Sequence, residues 1–485
     1  MDYKTYEGIR WKLIYGKYDG VEKFAINELY KIVQQYVPYT LTISDSANIN
    51  IEEAADYNLL FIGTSKSCSF INNFAKEDII KLNERKEGYI IKVCNSIYNP
   101  ERKMIILAGA DENGTLYAVR DFEHHYVDQV RYKGYHYNSI YKPFIDEMPD
   151  YEASSSPAIE NRGLWTWGHV IYDYRRYLDN MSKWKMNTVI MWNDYAPLNA
   201  KDIVEYAHSR GIKVIWGFSW CWGEKVNPTD KDELEKWTKR VINTYEEQYK
   251  HLGGDGIYFQ AFTETNDTAI EGESIARLVT NWVNHISERL LERHPELWLL
   301  FGIHATSIKD EYLELSKLDP RVAIMWEDAG SFPYAYDPRI NDKFEETIEY
   351  TDRISELRRE KEDFGAVLKG FTVLNWTKFE HQKGIFILGE SSPHFVKKKK
   401  AEKEFYWKFC QPYWNQNIDK LQEFVKQIDS KDIKRKTVTA LVEDGAWEAE
   451  TWYPVALLAE VLWNPYADSS ELITRISNSQ DAVLI

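Results

Sequence analysis

From residue 160 onward, short apolar segments alternate regularly with longer amphipathic segments. NTVIMWN (187–193), IKVIWGF (212–218) and DGIYFQAFTE (255–264) have the composition of buried strands, and each precedes a segment with polar and apolar residues at helical spacing. Strands that are joined by helices pair in parallel. Seven or eight such units over roughly 300 residues predict a (β/α)₈ barrel, or TIM barrel, rather than an open doubly wound sheet.

The residues before this repeat predict a second, smaller domain. Residues 10–130 alternate shorter strands, such as WKLIYGK (11–17) and KMIILAGA (103–110), with helices, and the turn-rich stretch at 149–163 is typical of a linker. The predicted fold class is therefore α/β: a TIM barrel preceded by a small α/β domain, with a helical C-terminal region. We expect the small domain over residues 1–150, the barrel over 151–465 with a helical insertion near 395–435, and a C-terminal tail over 466–485.

Charge and cysteine content narrow the classes of partner. The chain has 60 basic and 76 acidic residues, a net charge of −16, which disfavours nucleic acid or an anionic membrane as a partner. Its four cysteines are widely spaced and predict neither a zinc site nor a disulfide framework. The N-terminus lacks a signal-like apolar region and no apolar run reaches 18 residues, so we expect a cytoplasmic protein without a membrane span. Homo-oligomerisation remains open.

The C-terminal ends of the predicted barrel strands carry tryptophans, histidines and carboxylates. In a TIM barrel these ends meet at one face and form the functional site. In strand order, the side chains at these ends are Arg162, Trp165, Trp167 and His169; Trp192, Asn193, Asp194 and Tyr195; Trp216, Trp220 and Trp222; Gln260, Glu264 and Asp267; His304; Trp326, Glu327 and Asp328; Asn375 and Trp376; Glu443 and Asp444. Aromatic rings at such a face suit the apolar faces of sugars, although they are equally typical of a tryptophan-rich core.

Paired carboxylates beside aromatic rings indicate glycoside cleavage, in which one carboxyl protonates the leaving oxygen and a second carboxylate stabilises or attacks the sugar, or activates water. We expect Glu264 to be the acid and Glu327 the second catalytic group. Neighbouring side chains on a strand point to opposite sides, so Glu327 and Asp328 cannot both face the mouth, and the longer Glu327 reaches farther. The alternative for Glu264 is a solvated strand-end carboxylate. The alternative for Glu327 and Asp328 is a structural salt bridge or helix cap.

Two other classes of function stay open. A non-catalytic carbohydrate-binding barrel would keep the tryptophans without a positioned acid. A hydrolase of another bond, such as an amide, would need a metal or a nucleophile, and Cys221 is the only thiol at the strand ends. The histidines show no spacing typical of metal ligands, so no metal and no cofactor is expected.

Two stretches resemble a group of exo-glycosidases. ILAGADENGTLYAVRDFEHHYV (106–127) resembles the segment that closes the small α/β domain before the barrel in family-20 β-N-acetylhexosaminidases and in the α-glucuronidases of families 67 and 115. ENRGLWTW (160–167) is similar to their first barrel strand, which implies that Arg162 binds substrate hydroxyls. The placement of YFQAFTETND (258–267) is similar to that of the α-glucuronidase strand with the general acid, which implies that role for Glu264.

The resemblance implies a glycoside hydrolase, N-acetylhexosaminidase-like or alternatively α-glucuronidase-like, acting on an oligosaccharide or glycoconjugate. Family-20 enzymes carry adjacent Asp and Glu residues at the end of strand four, where this chain has Thr263 and Glu264. The α-glucuronidases place further carboxylates on strands six and seven, whereas strand seven here is predicted to end in Asn375 and Trp376. From their positions at the strand ends, the residues expected to bind the substrate are Arg162, Trp165, Trp167, His169, Asn193, Asp194, Trp216, Trp220, His304, Trp326, Asp328, Asn375 and Trp376.

Overall fold

A computed structural model describes residues 9–37, 40–129, 148–304, 307–327, 344–358, 362–371, 382–442, 447–449 and 452–479. The chain forms two compact units. The first consists mainly of the residues up to Pro157, and the second mainly of those from Ala158 onward.

The first unit contains a six-stranded sheet with helices. Its main elements are β1 (Trp11–Tyr15), α1 (Gly20–Gln34), β2 (Thr42–Asp45), β3 (Asn58–Thr64), α2 (Ser69–Lys76), β4 (Tyr89–Asn95), β5 (Lys103–Gly109), α3 (Glu112–Asp121) and β6 (Tyr151–Ser155). The strand order is β2-β1-β3-β5-β4-β6, with β4 antiparallel to both of its neighbours and the other pairs parallel. Phe61, Phe74 and Ile106 belong to one apolar cluster that packs on this sheet.

The second unit is a closed barrel of eight parallel strands. The barrel strands are β7 (Asn161–Trp167), β8 (Thr188–Trp192), β9 (Lys213–Gly217), β10 (Gly256–Gln260), β13 (Leu299–His304), β14 (Val322–Glu327), β15 (Asp363–Leu368) and β16 (Arg435–Leu441). They follow one another around the ring in chain order, and the pairing of β16 with β7 closes it. The predicted fold class, a TIM barrel with a preceding α/β region and C-terminal helices, is confirmed.

Helices follow the barrel strands and continue after the last one. They are α4 (Tyr174–Lys183), α5 (Ala200–His208), α6 (Lys231–Thr244), α7 (Ile275–Arg293), α8 (Phe344–Ser355), α9 (Pro393–Gln416), α10 (Ile418–Asp429), α11 (Tyr453–Trp463) and α12 (Ser469–Asn478). A short hairpin of β11 (Ala269–Ile270) and β12 (Glu273–Ser274) lies between β10 and α7. None of the helices in the described ranges has the length and apolarity that a membrane crossing requires.

Alternation along each strand divides the barrel into an interior and an outer layer. Tyr258, Leu300 and Met325 belong to one interior cluster. Trp326, the neighbour of Met325, packs instead on Tyr350 of α8 and Phe424 of α10, with ring centroids 5.5 and 6.3 Å apart. Both faces of the strands are covered, which explains why the strand segments are almost continuously apolar.

The fourth barrel strand is shorter than its sequence predicts. β10 ends at Gln260, whereas the apolar pattern predicted a strand through Glu264. Residues 261–264 form a turn, so Glu264 is presented by a loop rather than by the strand itself.

Candidate active site

Glu327 is the last residue of β14 and its side chain is only 1% exposed. Its Oε1 accepts hydrogen bonds from the Tyr258 hydroxyl, at 2.5 Å, and from the Gln260 amide. Its Oε2 accepts one from Lys369 Nζ, at 3.1 Å. Burial alone raises the pKa of this carboxyl, but the opposing charges and hydrogen bonds, above all the charge of Lys369, lower the pKa to about 2. Glu327 is therefore an ionised carboxylate in the barrel interior.

His304, the last residue of β13, lies between two carboxylates. Its Nε2 is 3.3 Å from Glu327 Oε2 and 3.8 Å from Glu264 Oε2, so these two oxygens are separated by no more than the sum, roughly 7 Å. Burial lowers the pKa of the imidazole, the nearby carboxylates raise it and the charge of Lys369 lowers it further, so the net shift is downward and favours the neutral form. The predicted pair Glu264 and Glu327 thus meets at one imidazole.

Glu264 faces solvent beside this cluster, and its side chain is 54% exposed. Trp222 Nε1 donates a hydrogen bond of 2.6 Å to Glu264 Oε2. The preceding residue, Thr263, is fully buried: its hydroxyl accepts the His304 N–H at 3.4 Å, and its carbonyl accepts the Ser307 hydroxyl at 2.5 Å. These bonds hold the loop at the carboxyl edge of the barrel, where Glu264 can meet a ligand while Glu327 remains inside.

Four tryptophans pack together next to the carboxylates. The ring centroids of Trp167 and Trp192 lie 5.9 and 5.7 Å from that of Trp222, and Trp165 lies 5.4 Å from Trp167. Trp165, Trp167 and Trp192 are buried, whereas Trp222 is half-buried. Trp165, Trp167 and Trp192 therefore belong to the packed core, the alternative that the sequence left open, and Trp222 is the most open ring of the four.

Gly302 of β13 lies against the bond between Tyr258 and Glu327. A Cβ atom at this position would lie 2.5 Å from Glu327 Oε1 and even closer to the Tyr258 hydroxyl. No real Cβ tolerates such distances, so the close approach of these two side chains across β13 requires glycine.

Three other predicted residues lie near the carboxyl ends of β7 and β8. His169 follows Trp167 in a short helical turn, with the two rings 6.3 Å apart. Asn193 is buried and its amide donates to the Met191 carbonyl, at 3.1 Å, while Asp194 is half-buried. Asn193 thus has a local structural role.

Four of the predicted substrate residues do not face the barrel mouth. Arg162 lies near the amino end of β7, buried, and donates to the carbonyls of Ile159 and Lys185, at 2.7 and 3.0 Å. The sequence placed it at the mouth because it precedes the tryptophans of the same strand by only a few residues.

The other three are tryptophans of the barrel wall. Trp216 lies beside Tyr249, with ring centroids 6.4 Å apart, Trp220 stacks on Phe259 at 3.6 Å, and Trp326 contacts the helical layer. For Trp216 and Trp326 the physical reason is alternation, because residues next to an interior position on a strand point outward. Trp220 lies beyond the end of β9, where stacking on Phe259 buries it. Asp328, Asn375, Trp376, Glu443 and Asp444 lie outside the described residues.

Sequence reasoning missed two members of the cluster, Tyr258 and Lys369. Tyr258 stands two residues before Gln260, so alternation places both on the interior face, and that signal was available. Lys369 directly follows β15 and interrupts the apolar segment AVLKGF (366–371). A lysine at that edge was a second available signal.

The solved structures that are similar to this chain include three glycoside hydrolases with TM-scores of 0.50 or 0.51. A GH138 enzyme targeting pectin rhamnogalacturonan II has a TM-score of 0.51 and 14% identity, covering 95% of this chain and 51% of that chain. A family GH115 4-O-methyl-α-glucuronidase with specificity for decorated arabinogalactans has 0.51 and 14%, covering 94% and 56%. A β-N-acetylhexosaminidase from Bacteroides fragilis has 0.50 and 11%, covering 95% and 88%.

This chain spans about half the length of the first two structures. No protein-family model and no curated protein matches the sequence. At these identities the likeness concerns the fold. The architectural resemblance expected from the two sequence stretches is confirmed, since the chain has the TIM-barrel fold of these glycoside hydrolases.

Proposed function

We propose that the protein is a glycoside hydrolase that uses Glu264 and Glu327. One observation carries the proposal: an exposed carboxylate and a buried, ionised carboxylate lie within 3.8 and 3.3 Å of the same His304 nitrogen, at the carboxyl edge of a TIM barrel. Two carboxyl groups in different environments are what acid-assisted glycoside cleavage needs, because one must donate a proton while the other stays charged.

The two environments support a division of roles. Glu264 is open to solvent and donates its proton to the glycosidic oxygen as the bond between that oxygen and the anomeric carbon breaks. Positive charge then develops on the sugar ring, and the negative charge of Glu327 stabilises it. The hydroxyl of a water molecule bonds to the anomeric carbon, and the remaining proton of that water restores the acid. Both Glu327 oxygens already accept hydrogen bonds, which holds this charge in place and suits it to electrostatic stabilisation. Glu264 Oε2 and Glu327 Oε2 are at most roughly 7 Å apart. This limit is compatible with the spacing of the two carboxyl groups in retaining enzymes, about 5–5.5 Å, and with the lower part of the range in inverting enzymes, about 6.5–9.5 Å.

For the sugar itself, we propose N-acetylhexosaminides and α-glucuronides as the two substrate classes. The hexosaminidase proposal is supported by architecture, since the chain covers 88% of the length of the hexosaminidase structure. The position of Thr263 favours the α-glucuronidase-like alternative. Its buried and hydrogen-bonded side chain stands where family-20 enzymes have the acidic residue that precedes the general acid, so acetamido assistance from that position is lost.

The test compares wild type with Glu264→Gln on two kinds of substrate. A panel of 4-nitrophenyl glycosides, including N-acetyl-β-glucosaminide and α-glucuronide, supplies good leaving groups, and disaccharides with the same first sugar supply poor ones. We expect Glu264→Gln to lose about 10²–10⁴-fold in turnover of the disaccharide and much less on the aryl substrate. The matched control is Glu273→Gln, a half-exposed carboxylate of the β11–β12 hairpin, which should keep wild-type rates.

Two results would contradict the proposal. Equal and small losses on both substrates would remove Glu264 from the acid role. A wild-type protein that binds these sugars without cleaving any of them would identify a carbohydrate-binding barrel instead of an enzyme.

A further inference from the structure

The loop after β9 is anchored against β10. The N–H groups of Phe218 and Trp220 donate to the carbonyls of Tyr258 and Gln260, at 3.1 and 3.0 Å, so the loop continues the strand pairing beyond the end of β9. The stacked and fully buried ring of Trp220 fixes the same segment on Phe259. The backbone that carries Trp222 is therefore held by β10, the strand that leads to Glu264.

The backbone on either side of Trp222 has an unusual conformation. Cys221 and Gly223 have φ angles of +68° and +75°, and the first is a non-glycine residue in the left-handed region. The Ser219 hydroxyl donates to the Trp222 carbonyl at 2.9 Å, and the Glu224 N–H donates to the Cys221 carbonyl at 3.2 Å. Such conformations persist only where surrounding contacts impose them, and here they turn Trp222 toward Glu264.

The hydrogen bond between Trp222 and Glu264 favours Oε1 as the oxygen that carries the acidic proton. An indole N–H can only donate, so Glu264 Oε2, at 2.6 Å from Trp222 Nε1, must act as an acceptor. The transferable proton is thereby directed to Oε1. The same contact places the indole ring beside the carboxyl group that would meet the glycosidic oxygen.

We propose that Trp222 is a positioning residue for the general acid and that its ring forms the binding surface for the leaving group. This inference rests on the proposed glycoside hydrolase function. The acid must contact the oxygen that joins the sugar to the leaving group, so a ring bonded to that acid lies on the leaving-group side or next to it. Trp167 and Trp192, which pack against Trp222, are buried, so Trp222 offers the accessible ring face of the cluster. The leaving group is then one with an apolar face, such as a further sugar or an aromatic aglycone.

The experiment separates the N–H group from the ring. Trp222→Phe removes the donor and keeps an aromatic ring, whereas Trp222→Ala removes both. Cys221→Gly and Cys221→Val test the loop, because glycine accepts a positive φ and a β-branched residue does not. Trp237→Phe on α6, a buried tryptophan that contacts Arg240, is the matched control. Each variant is assayed on a 4-nitrophenyl glycoside and on the corresponding disaccharide, with thermal unfolding as a check of the fold.

For Trp222→Phe we expect kcat on the disaccharide to fall about tenfold with little change in KM, and the aryl substrate to be nearly unaffected, because the lost bond orients a proton that the aryl leaving group hardly needs. Trp222→Ala should in addition raise KM for the disaccharide about fivefold. Cys221→Gly should resemble wild type, Cys221→Val should show the kcat loss of Trp222→Phe, and Trp237→Phe should not change the rates.

A folded Trp222→Phe variant with wild-type kcat on the disaccharide, or with equal losses on both substrates, overturns the inference. If Trp222→Phe does not fold, Cys221→Gly and Cys221→Val provide the test. Equal rates of these two variants on the disaccharide would also overturn the inference. Glu264→Gln distinguishes a failure of this inference from a failure of the proposed function. If Glu264→Gln loses activity selectively on the disaccharide and the Trp222 variants do not, the proposed function stands and only the role of Trp222 is refuted. A wild type without any turnover removes both.

Discussion

Lys369 and Glu327 form a buried ion pair between the carboxyl ends of two neighbouring barrel strands. The Lys369 ammonium lies 3.1 Å from Glu327 Oε2, and their side chains are 9% and 1% exposed. A buried carboxylate without such a partner would be far less favourable, because desolvation opposes the charged form. The pair therefore ties the charge state of the proposed catalytic carboxylate to the stability of the barrel.

Removing the cation should destabilise the protein strongly. For Lys369→Met we expect a loss of about 3–5 kcal/mol in unfolding free energy, because Glu327 is left charged and buried without its partner. Denaturant unfolding followed by circular dichroism measures the loss. The double variant Lys369→Met/Glu327→Gln should recover part of it, and a double variant less stable than Lys369→Met would contradict this account.

The low pKa of Glu327 predicts a pH window for stability. Its folded pKa of about 2 lies below the ordinary value of 4.5, so the stabilisation is fully present above pH 4.5 and is lost as the pH falls toward 2. Wild type should therefore lose more stability between pH 5 and pH 2 than Glu327→Gln, in thermal unfolding measured across that range. Glu273→Gln, an exposed counterpart, should follow wild type. Parallel curves for wild type and Glu327→Gln would show that Glu327 does not titrate in this window.

Chelators should leave activity unchanged. Glu327 already accepts bonds from Tyr258, Gln260 and Lys369, and the lysine ammonium occupies the position beside Oε2 that a metal ion would need. Two carboxyl groups suffice for the proposed reaction. The measurement is turnover of a 4-nitrophenyl glycoside before and after treatment with EDTA, and activity that disappears and returns with a divalent ion would refute the expectation.

Arg162 should matter for folding and not for substrate binding. Arg162→Lys loses the planar set of donors that reaches the carbonyls of Ile159 and Lys185, so we expect a loss of about 2 kcal/mol or more in stability with unchanged KM. Thermal unfolding and steady-state kinetics test the two parts. A KM that rises with stability unchanged would instead support the hydroxyl-binding role implied by the family resemblance.

Periodicity was sufficient to predict the barrel, because eight apolar strands alternating with helices admit few other arrangements. The pair Glu264 and Glu327 also followed from the rule that functional side chains lie at the carboxyl ends of the strands. The choice of Glu327 over Asp328 remains a prediction, although Glu327 does face the interior.

The sequence did not predict the orientation of every site residue, because composition determines neither which residues of a strand face the interior nor where the strand ends. Trp216 and Trp326 lie one residue from interior positions and therefore point outward. Arg162 precedes Trp165 by three residues. It therefore lies near the amino end of β7, and by alternation it points to the opposite face of the strand from Trp165. Lys369 lies beyond β15, and the register that pairs Glu327 with Val367, which the sequence does not fix, brings the lysine to Glu327.

The lack of space at Gly302 couples three positions that are far apart in the sequence. A methyl group at 302 would collide both with the Tyr258 side chain and with Glu327 Oε1, so both of these side chains would have to move or be replaced by smaller ones. Substitutions at these positions should therefore be interdependent. Among related chains, loss of glycine at 302 should accompany changes at both 258 and 327, and in a mutational library Gly302→Ala should cost less stability on a Tyr258→Ala background, which removes the whole ring, than alone.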